Sequence, residues 1–155
     1  EDLLRGLVEE PIRAMNQEVR ELLDTGYAPA EKLARVIELH LRYFQEHRDI
    51  FGIFLREDIE LLDQTSDSDL RALLRTYEDY WDELLQEGIA DGAFRKGIDR
   101  SVITKAIIGM CNGTFTWFNP DGRYPIQEIA RRIADFALRG VCREESVPSE
   151  RIASP

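Results

Sequence analysis

The sequence predicts an all-α domain. Apolar residues recur at steps of three and four along most of the chain, which is the period of an amphipathic helix. No strand-length stretch alternates apolar and polar residues between hairpin turns. The chain has 155 residues, of which 43% are hydrophobic, so it can bury a core of its own. We therefore expect about six helices in one domain over residues 1–142. A flexible tail is expected over residues 143–155, where apolar periodicity stops.

The first two helices are predicted by apolar stripes bounded by glycine and proline. The first is expected to kink at Pro11, because proline removes a backbone hydrogen bond, and to end at Gly26. The second begins at Pro29, where a helix does not need the missing N–H, and continues to about His47. The two stripes are Leu4, Val8, Ile12, Met15, Val19 and Leu22, then Leu33, Ile37, Leu41 and Phe44.

A polar, serine-rich break separates the third and fourth helices. The third is expected from Asp49 to about Asp63. Ser66 and Asp69 resemble a capping box at the start of the fourth helix, and Gly92 supplies its C-terminal stop. The two stripes are Phe51, Phe54, Leu55, Ile59 and Leu62, then Leu70, Leu73, Leu74, Tyr77, Trp81, Leu84 and Leu85.

The fifth and sixth helices are both strongly apolar. The fifth begins with Asp99 as its N-cap and continues to about Phe118, and it has no solvent-facing stripe beyond Lys105. The sixth begins with Pro125. Its apolar stripe is Ile126, Ile129, Ile133, Phe136 and Val141.

A helix that is apolar on every side needs partners on every side, and six helices cover only part of the fifth. It could be the central helix of a monomer, but its glycines, one turn apart, favour a second helix at close approach. We therefore predict that the last two helices form a four-helix bundle across the two-fold axis of a homodimer. The expected interface residues are Gly109, Gly113, Trp117, Ile129, Ile133 and Phe136.

Aromatic residues on helices two to five predict either an aromatic core or a pocket for a hydrophobic ligand. Asn112, Thr114 and Thr116 interrupt the fifth helix and need hydrogen-bond partners, for which we favour the backbone or a partner helix. His40 lies beside an apolar stripe and is expected to be a core histidine with its hydrogen bonds satisfied. The candidate pocket residues are Met15, Phe44, Phe54, Tyr77, Trp81, Met110 and Phe115.

Composition and motifs argue against several classes of function. The net charge of −10 disfavours direct binding of this chain to a nucleic-acid backbone. No phosphate loop, nucleophile elbow or dinucleotide fingerprint occurs, so we predict no enzyme and no cofactor. His40 and His47 lack a carboxylate at helical spacing, so no metal site is predicted. Cys111 and Cys142 are expected to be free thiols in a reducing cytoplasm, and no run is apolar enough to span a membrane.

Several stretches resemble the C-terminal half of TetR-family transcriptional regulators, and the likeness covers most of the chain. They are Gly92-Ala93-Phe94-Arg95, Asp99 at a helix start, the run from Gly109 to Gly122, and the stretch from Ile129 to Val141. Within them, the pattern of Asn112, Trp117, Pro120 and Gly122 is similar to the branch that regulates lipid and acyl-CoA catabolism. That branch often has an aromatic residue where this chain has Gly113.

The resemblance implies a function as well as a fold. It implies a dimer bundle made by the last two helices, an apolar effector pocket enclosed by the earlier ones, and a first helix that couples the pocket to a DNA-binding head. The start, from Glu1 to Leu4, is similar to the point where the connecting helix leaves the helix-turn-helix domain. We therefore expect that head to be missing here, and a small effector to switch a repressor's binding of operator DNA through it.

Two questions remain open at this stage. A long-chain acyl-CoA is the first expectation for the effector, with Arg42, Arg71 or Arg75 offsetting the negative net charge near the pocket mouth. A neutral fatty, steroidal or aromatic ligand would avoid that requirement. The alternative function is a helical homodimeric protein-interaction module without a small ligand, which predicts a core too tightly packed to hold a pocket.

Overall fold

The computed structural model describes residues 2–57 and 69–143, and it describes side chains for residues 6–52 and 69–143. Within these ranges the predicted all-α fold is confirmed, with an isolated antiparallel bridge between Phe94 and Cys142. The helices are α1 (Asp2–Leu23), α2 (Pro29–Glu46), α3 (Arg48–Glu57), α4 (Asp69–Asp91), α5 (Arg100–Trp117) and α6 (Ile126–Val141).

The helix ends follow the sequence signals closely. The Asp99 carboxylate accepts the N–H of Val102 at 3.0 Å, which confirms the predicted N-cap of α5. Gly92, directly after α4, has a φ of +80°, a conformation that glycine adopts without strain. The predicted extension of α3 to Asp63 and the cap at Ser66 lie outside the described residues, as do residues 144–155 of the predicted tail.

A buried lysine joins the first, second and fourth helices. Lys32 on α2 is 3% exposed, and its Nζ donates to the Leu23 carbonyl at the end of α1 at 2.8 Å. The same ammonium bonds to the Glu87 carboxylate of α4 at 2.8 Å. A positive charge at the C-terminal end of α1 satisfies a free carbonyl and complements the negative end of the helix dipole.

The loop after α4 ties that helix to the end of α6. Phe94 is 1% exposed and packs over Gly88 so closely that a Cβ on Gly88 would overlap its ring. The Arg95 N–H donates to the Val141 carbonyl at 2.9 Å, and the Arg143 N–H donates to the Ala93 carbonyl at 3.1 Å. Arg143, the first residue of the predicted tail, is therefore hydrogen-bonded to the domain.

The last two helices do not form a close pair within one chain. Helix α6 packs most extensively along α2 and touches α5 only slightly. Its buried face consists largely of alanines, which allow α2 to approach closely, whereas Phe136 of the predicted stripe is 68% exposed and Ile133 is half-buried. The buried residues of α6 are Ile129, Ala130, Ala134, Ala137 and Val141.

Candidate functional site

Three stacked rings form the centre of a small aromatic cluster between α2 and α3. The ring of His40 lies 4.6 Å from that of Phe44, with an interplanar angle of 12°. Phe44 in turn stacks on Phe51 at 4.5 Å and 3°. His40 and Phe51 are almost fully buried, at 2% and 1% exposure. The cluster therefore belongs to the interior, although it includes a polar ring.

Hydrogen bonds connect His40 to the two helices on either side of it. Its Nδ1 lies 2.6 Å from the Tyr77 hydroxyl on α4, and its Nε2 lies 2.9 Å from Asn112 Oδ1 on α5. An amide oxygen can only accept, so Nε2 carries the proton and Nδ1 accepts from Tyr77. Burial lowers the pKa of His40 to about 4 and raises that of Tyr77. The expectation of a core histidine with satisfied hydrogen bonds is thus confirmed.

Two threonines of α5 bond to its own backbone, whereas the buried hydroxyl of Thr104 has no partner among the described residues. The Thr114 hydroxyl donates to the Cys111 carbonyl at 2.7 Å, and the Thr116 hydroxyl donates to the Gly113 carbonyl at 2.8 Å. The preference for backbone partners was correct for these two threonines. Asn112 instead bonds to His40, a partner that the sequence pattern did not identify.

The predicted pocket residues fall into three groups. Met15, Tyr77 and Trp81 are buried in the main core, where the Tyr77 and Trp81 rings meet edge to face at 6.1 Å. Phe44 and Phe115 both line a cavity of about 10 Å³ between α2 and α5, too small for an organic ligand. One further residue, Met110, lies away from this cavity, along a groove between α5 and α6. The side chain of Phe54 lies outside the described residues.

The ring of Phe115, on α5, packs against α3. A Cβ on Gly52 of α3 would lie 2.5 Å from the Phe115 ring, so glycine is what permits this approach. The Arg48 guanidinium lies 5.2 Å from the centre of the same ring and donates to the Phe118 carbonyl at 3.2 Å. Arg48 is thus a cation at the edge of the small cavity, which sequence reasoning missed.

The three arginines predicted to lie at a pocket mouth have different surroundings. Arg42 forms an ion pair with Glu18 at 2.5 Å and lines an open groove of about 590 Å³ between α1, α2 and α6. That groove carries both signs of charge. Arg71 is half-buried and Arg75 is exposed on α4. None of the three lines the small cavity at Phe44 and Phe115.

A buried asparagine was also missed by sequence reasoning. Asn16 on α1 is 5% exposed and donates its amide N–H to the Leu73 carbonyl of α4 at 2.9 Å. Its Oδ1 has no hydrogen-bond partner among the described residues. A buried acceptor without a donor is costly, so this atom marks a polar point in the interior between α1 and α4.

Helix α5 exposes large apolar side chains to solvent and buries threonines. Its buried stripe contains two threonines, whereas Val102 and Trp117 are 60% and 58% exposed. A Cβ on Gly109 or Gly113 would meet no atom within 4 Å. We define the α5–α6 face by its apolar and small residues: Val102, Ala106, Gly109, Met110, Gly113, Trp117, Ile129, Ile133 and Phe136.

The α5–α6 face contains a groove and all six residues predicted for a subunit interface. The groove has a volume of about 410 Å³ and is lined almost entirely by apolar side chains, with Arg132 at its rim. Ile129 lies at its buried floor, and Gly109 is exposed beside it. An apolar face with open space above its glycines is complementary to a second apolar helix surface.

Together, the helices, the buried aromatic cluster and the open α5–α6 face describe an all-α domain that leaves one apolar groove uncovered. The sequence matches the family described as Tetracyclin repressor-like, C-terminal domain, over residues 26–141, and the chain belongs to this family. The family resemblance found in the sequence is therefore confirmed.

None of the helices within the described ranges is long and apolar enough to cross a membrane.

Three proteins illustrate the relationship. The HTH-type transcriptional repressor KstR2 of Mycolicibacterium smegmatis is 23% identical over 127 residues, which are 81% of this chain and 62% of that repressor. The chain thus spans less than two thirds of that relative. The ketosteroid transcriptional regulator KstR2 of Mycobacterium tuberculosis superposes with a TM-score of 0.80 at 22% identity, over 92% of this chain and 70% of that one. FadR of Bacillus subtilis, solved in complex with stearoyl-CoA, superposes with a TM-score of 0.69 at 25% identity, over 90% of this chain and 75% of that one.

Proposed function

We propose that this chain is the effector-sensing and dimerisation part of a TetR-like transcriptional repressor. In this proposal residues 1–142 form the sensing domain, and a helix-turn-helix head on the N-terminal side binds operator DNA. The observation that carries the proposal is the open α5–α6 face on a chain of this family. A repressor head that reads two half-sites needs a dimer, and this face supplies a surface for one.

The proposed dimer places α5 and α6 of two copies in a four-helix bundle. Gly109 and Gly113 leave room for the partner helix, and Trp117, Ile133 and Phe136 supply apolar area that water now covers. A two-fold axis brings the same face of each copy together, so one self-complementary surface is sufficient.

Ile133→Glu tests the dimer. A carboxylate in this apolar contact should raise the dimer dissociation constant by a factor of a hundred or more, on the order of 3 kcal/mol. Gln127→Glu is the matched control, because it adds the same charge at an exposed position on α6 that lines the other groove. Light scattering at micromolar concentration measures both variants. A folded Ile133→Glu variant that stays dimeric would show that the interface lies elsewhere.

The proposed effector is a small hydrophobic molecule, with an acyl-CoA as first choice. FadR was solved with stearoyl-CoA, and the KstR2 regulator is described as a ketosteroid regulator, so both descriptions name compounds with a large apolar part. We propose that the effector lies between α2, α3 and α5 and moves the Phe44 and Phe115 rings apart. The residues proposed to contact it are Met15, Phe44, Phe54, Tyr77, Trp81 and Phe115, whereas Met110 lines the α5–α6 groove instead.

Arg48 is the proposed contact for an anionic group of the effector. It stands at the edge of the Phe44 and Phe115 cavity, where its guanidinium faces an aromatic ring rather than a carboxylate. Arg42 is less suitable, because an incoming phosphate would have to displace Glu18.

A chain-length series tests the effector class. Isothermal titration calorimetry with saturated acyl-CoAs from butanoyl-CoA to stearoyl-CoA should show affinity rising by about 0.8 kcal/mol per buried CH₂ until the pocket is full. Arg48→Gln should weaken every member of the series by a similar factor, whereas Arg123→Gln, in the exposed loop before α6, should not. Flat, weak binding at all lengths would reject the acyl pocket and favour the protein-interaction module.

A further inference from the structure

One buried polar chain connects the aromatic cluster with the helix that carries the open face. It joins Tyr77 on α4, His40 on α2 and Asn112 on α5 by contacts of 2.6 and 2.9 Å. Both ring nitrogens of His40 are used, and the ring itself is 2% exposed. The bond to Tyr77 is therefore closed to water, whereas the bond to the half-buried Asn112 is partly shielded.

The same imidazole is also part of the apolar packing. Its ring stacks on Phe44, and Phe44 stacks on Phe51 of α3. A ligand that displaces the Phe44 ring therefore disturbs the stacking contact between Phe44 and His40. Because close-packed rings have no free space beside them, His40 must move with Phe44 or lose the stack.

Asn112 lies about 60° around the α5 axis from Gly109 and about 100° from Gly113, so its amide borders the face that carries the glycines. Asn112 bonds inward to His40, whereas Gly113, the next residue, and Gly109, three residues before, have open space where a Cβ would project. Because the side chain of Asn112 and the glycines belong to one rigid helix, a rotation of α5 about its axis moves the amide and the glycine face together. The hydrogen bond to His40 therefore contributes, together with the packing of α5 on α2 and α4, to the angle at which the α5–α6 face is presented.

We propose that His40 is a positioning residue that couples the effector cavity to the dimer face through Tyr77 and Asn112. This inference rests on the proposed function, because it needs both an effector and a dimer. A chain of buried hydrogen bonds is suited to this role, because a small displacement breaks a bond outright instead of weakening it gradually. Effector binding then shifts α5 between two orientations, and the dimer dissociation constant changes as a result.

The test measures coupling rather than stability. Sedimentation equilibrium gives the dimer dissociation constant with and without saturating stearoyl-CoA, and the ratio of the two values is the coupling factor. We expect at least about a fivefold effect in the unmodified chain, the lower end of typical allosteric coupling. Asn112→Leu and His40→Phe should reduce it to less than about twofold, while calorimetry still detects the ligand. His40→Gln, which keeps a donor and an acceptor, should restore part of it.

Two control variants separate positioning from general destabilisation. Tyr43→Phe removes a hydroxyl that bonds to Glu18 at 2.5 Å, away from the chain of His40. Thr104→Val removes a buried hydroxyl from α5 itself. Both should keep the coupling of the unmodified protein, whatever they do to its melting temperature.

The outcomes distinguish this inference from the function on which it rests. Unchanged coupling in Asn112→Leu and His40→Phe would overturn the role of His40 alone. An unmodified chain that binds stearoyl-CoA and dimerises with a coupling factor of one would also overturn it, while leaving sensing and dimerisation intact. If calorimetry shows no binding, or the chain is monomeric, the proposed function fails and this inference fails with it.

Discussion

His40 shows how one residue can be both polar and part of an apolar core. Its ring faces stack on Phe44, and its two nitrogens reach Tyr77 and Asn112. The arrangement requires the neutral imidazole, because Nδ1 must accept a hydrogen bond while Nε2 donates one. Burial favours the same form and lowers the pKa to about 4.

The protonation of His40 makes stability depend on pH in a defined direction. The pKa falls from an ordinary value of 6.5 to about 4 on folding, so between these values the unfolded chain binds a proton that the folded chain excludes. The contribution of His40 to the free energy of unfolding is fully present above pH 6.5 and is lost as the pH falls toward 4. We expect the free energy of unfolding to be about 2 kcal/mol lower at pH 5 than at pH 7 from His40 alone.

Urea denaturation at the two pH values, on the unmodified chain and on His40→Phe, measures this contribution. The phenylalanine variant keeps an aromatic ring at the position and lacks the titrating group. The change in its free energy of unfolding between pH 5 and pH 7 should therefore be smaller by about 2 kcal/mol. An identical pH dependence in the two proteins would contradict the assignment.

At the scale of elements, the end of α4 and the end of α6 are joined by one short loop. Gly92 turns the chain, Phe94 returns over Gly88, and the backbone of residues 93–95 bonds to the last turn of α6 and to Arg143. The Phe94 N–H also donates to the Gly88 carbonyl at 2.9 Å. Helix α6 therefore keeps its place against α2 through this loop as well as through its alanine face.

Gly88→Ala should destabilise the domain although alanine is the better helix former. The new methyl would overlap the ring of Phe94, which is 1% exposed and has no room to move. We expect a net loss of about 1–2 kcal/mol, because overpacking costs about 1–3 kcal/mol and helix propensity returns up to about 1 kcal/mol. Thermal and urea denaturation measure the change.

Gly6→Ala is the matched control, since a Cβ there meets no atom within 4 Å and the residue is also inside a helix. It should be neutral or slightly stabilising. If Gly88→Ala were as stable as Gly6→Ala, the close packing of Phe94 on α4 would be wrong.

At the scale of the whole molecule, charge and apolar surface are separated. The chain carries a net charge of −10, and arginines on α1, α2, α5 and α6 form ion pairs with nearby carboxylates, such as Arg20 with Glu83 and Arg100 with Asp82. The α5–α6 face is the surface with little charge, apart from Arg132 at the groove rim. Like-charged copies repel each other at long range, so the proposed dimer depends on apolar contact at this face.

The net charge predicts that this chain alone does not bind DNA. Phosphate contacts require clustered Lys and Arg, and each neutralised phosphate contributes to a steep salt dependence. Fluorescence anisotropy with a labelled duplex at low salt should show no saturable binding, whereas a chain extended at the N-terminus by a helix-turn-helix domain should bind a palindrome as a dimer. Tight, salt-sensitive binding by the 155 residues themselves would refute this prediction.

Local signals account for the elements and for part of the candidate site. Helical period, the Asp99 cap, Pro29 and Gly92 place the helix ends, because each acts through neighbouring residues alone. The apolar composition of the fifth and sixth helices also identified six of the nine residues of the α5–α6 face, whereas Met110 is predicted from the sequence to line the pocket. These properties depend on the order of residues within one or two turns of helix.

The tertiary structure decided which faces meet. No local pattern shows that α6 turns its alanines toward α2 and leaves Phe136 in solvent, or that Phe94 covers Gly88. The partners of His40 are likewise 37 and 72 residues away along the chain. Helical periodicity identifies an apolar stripe but not the element that buries it, because that choice depends on the packing of all the helices together.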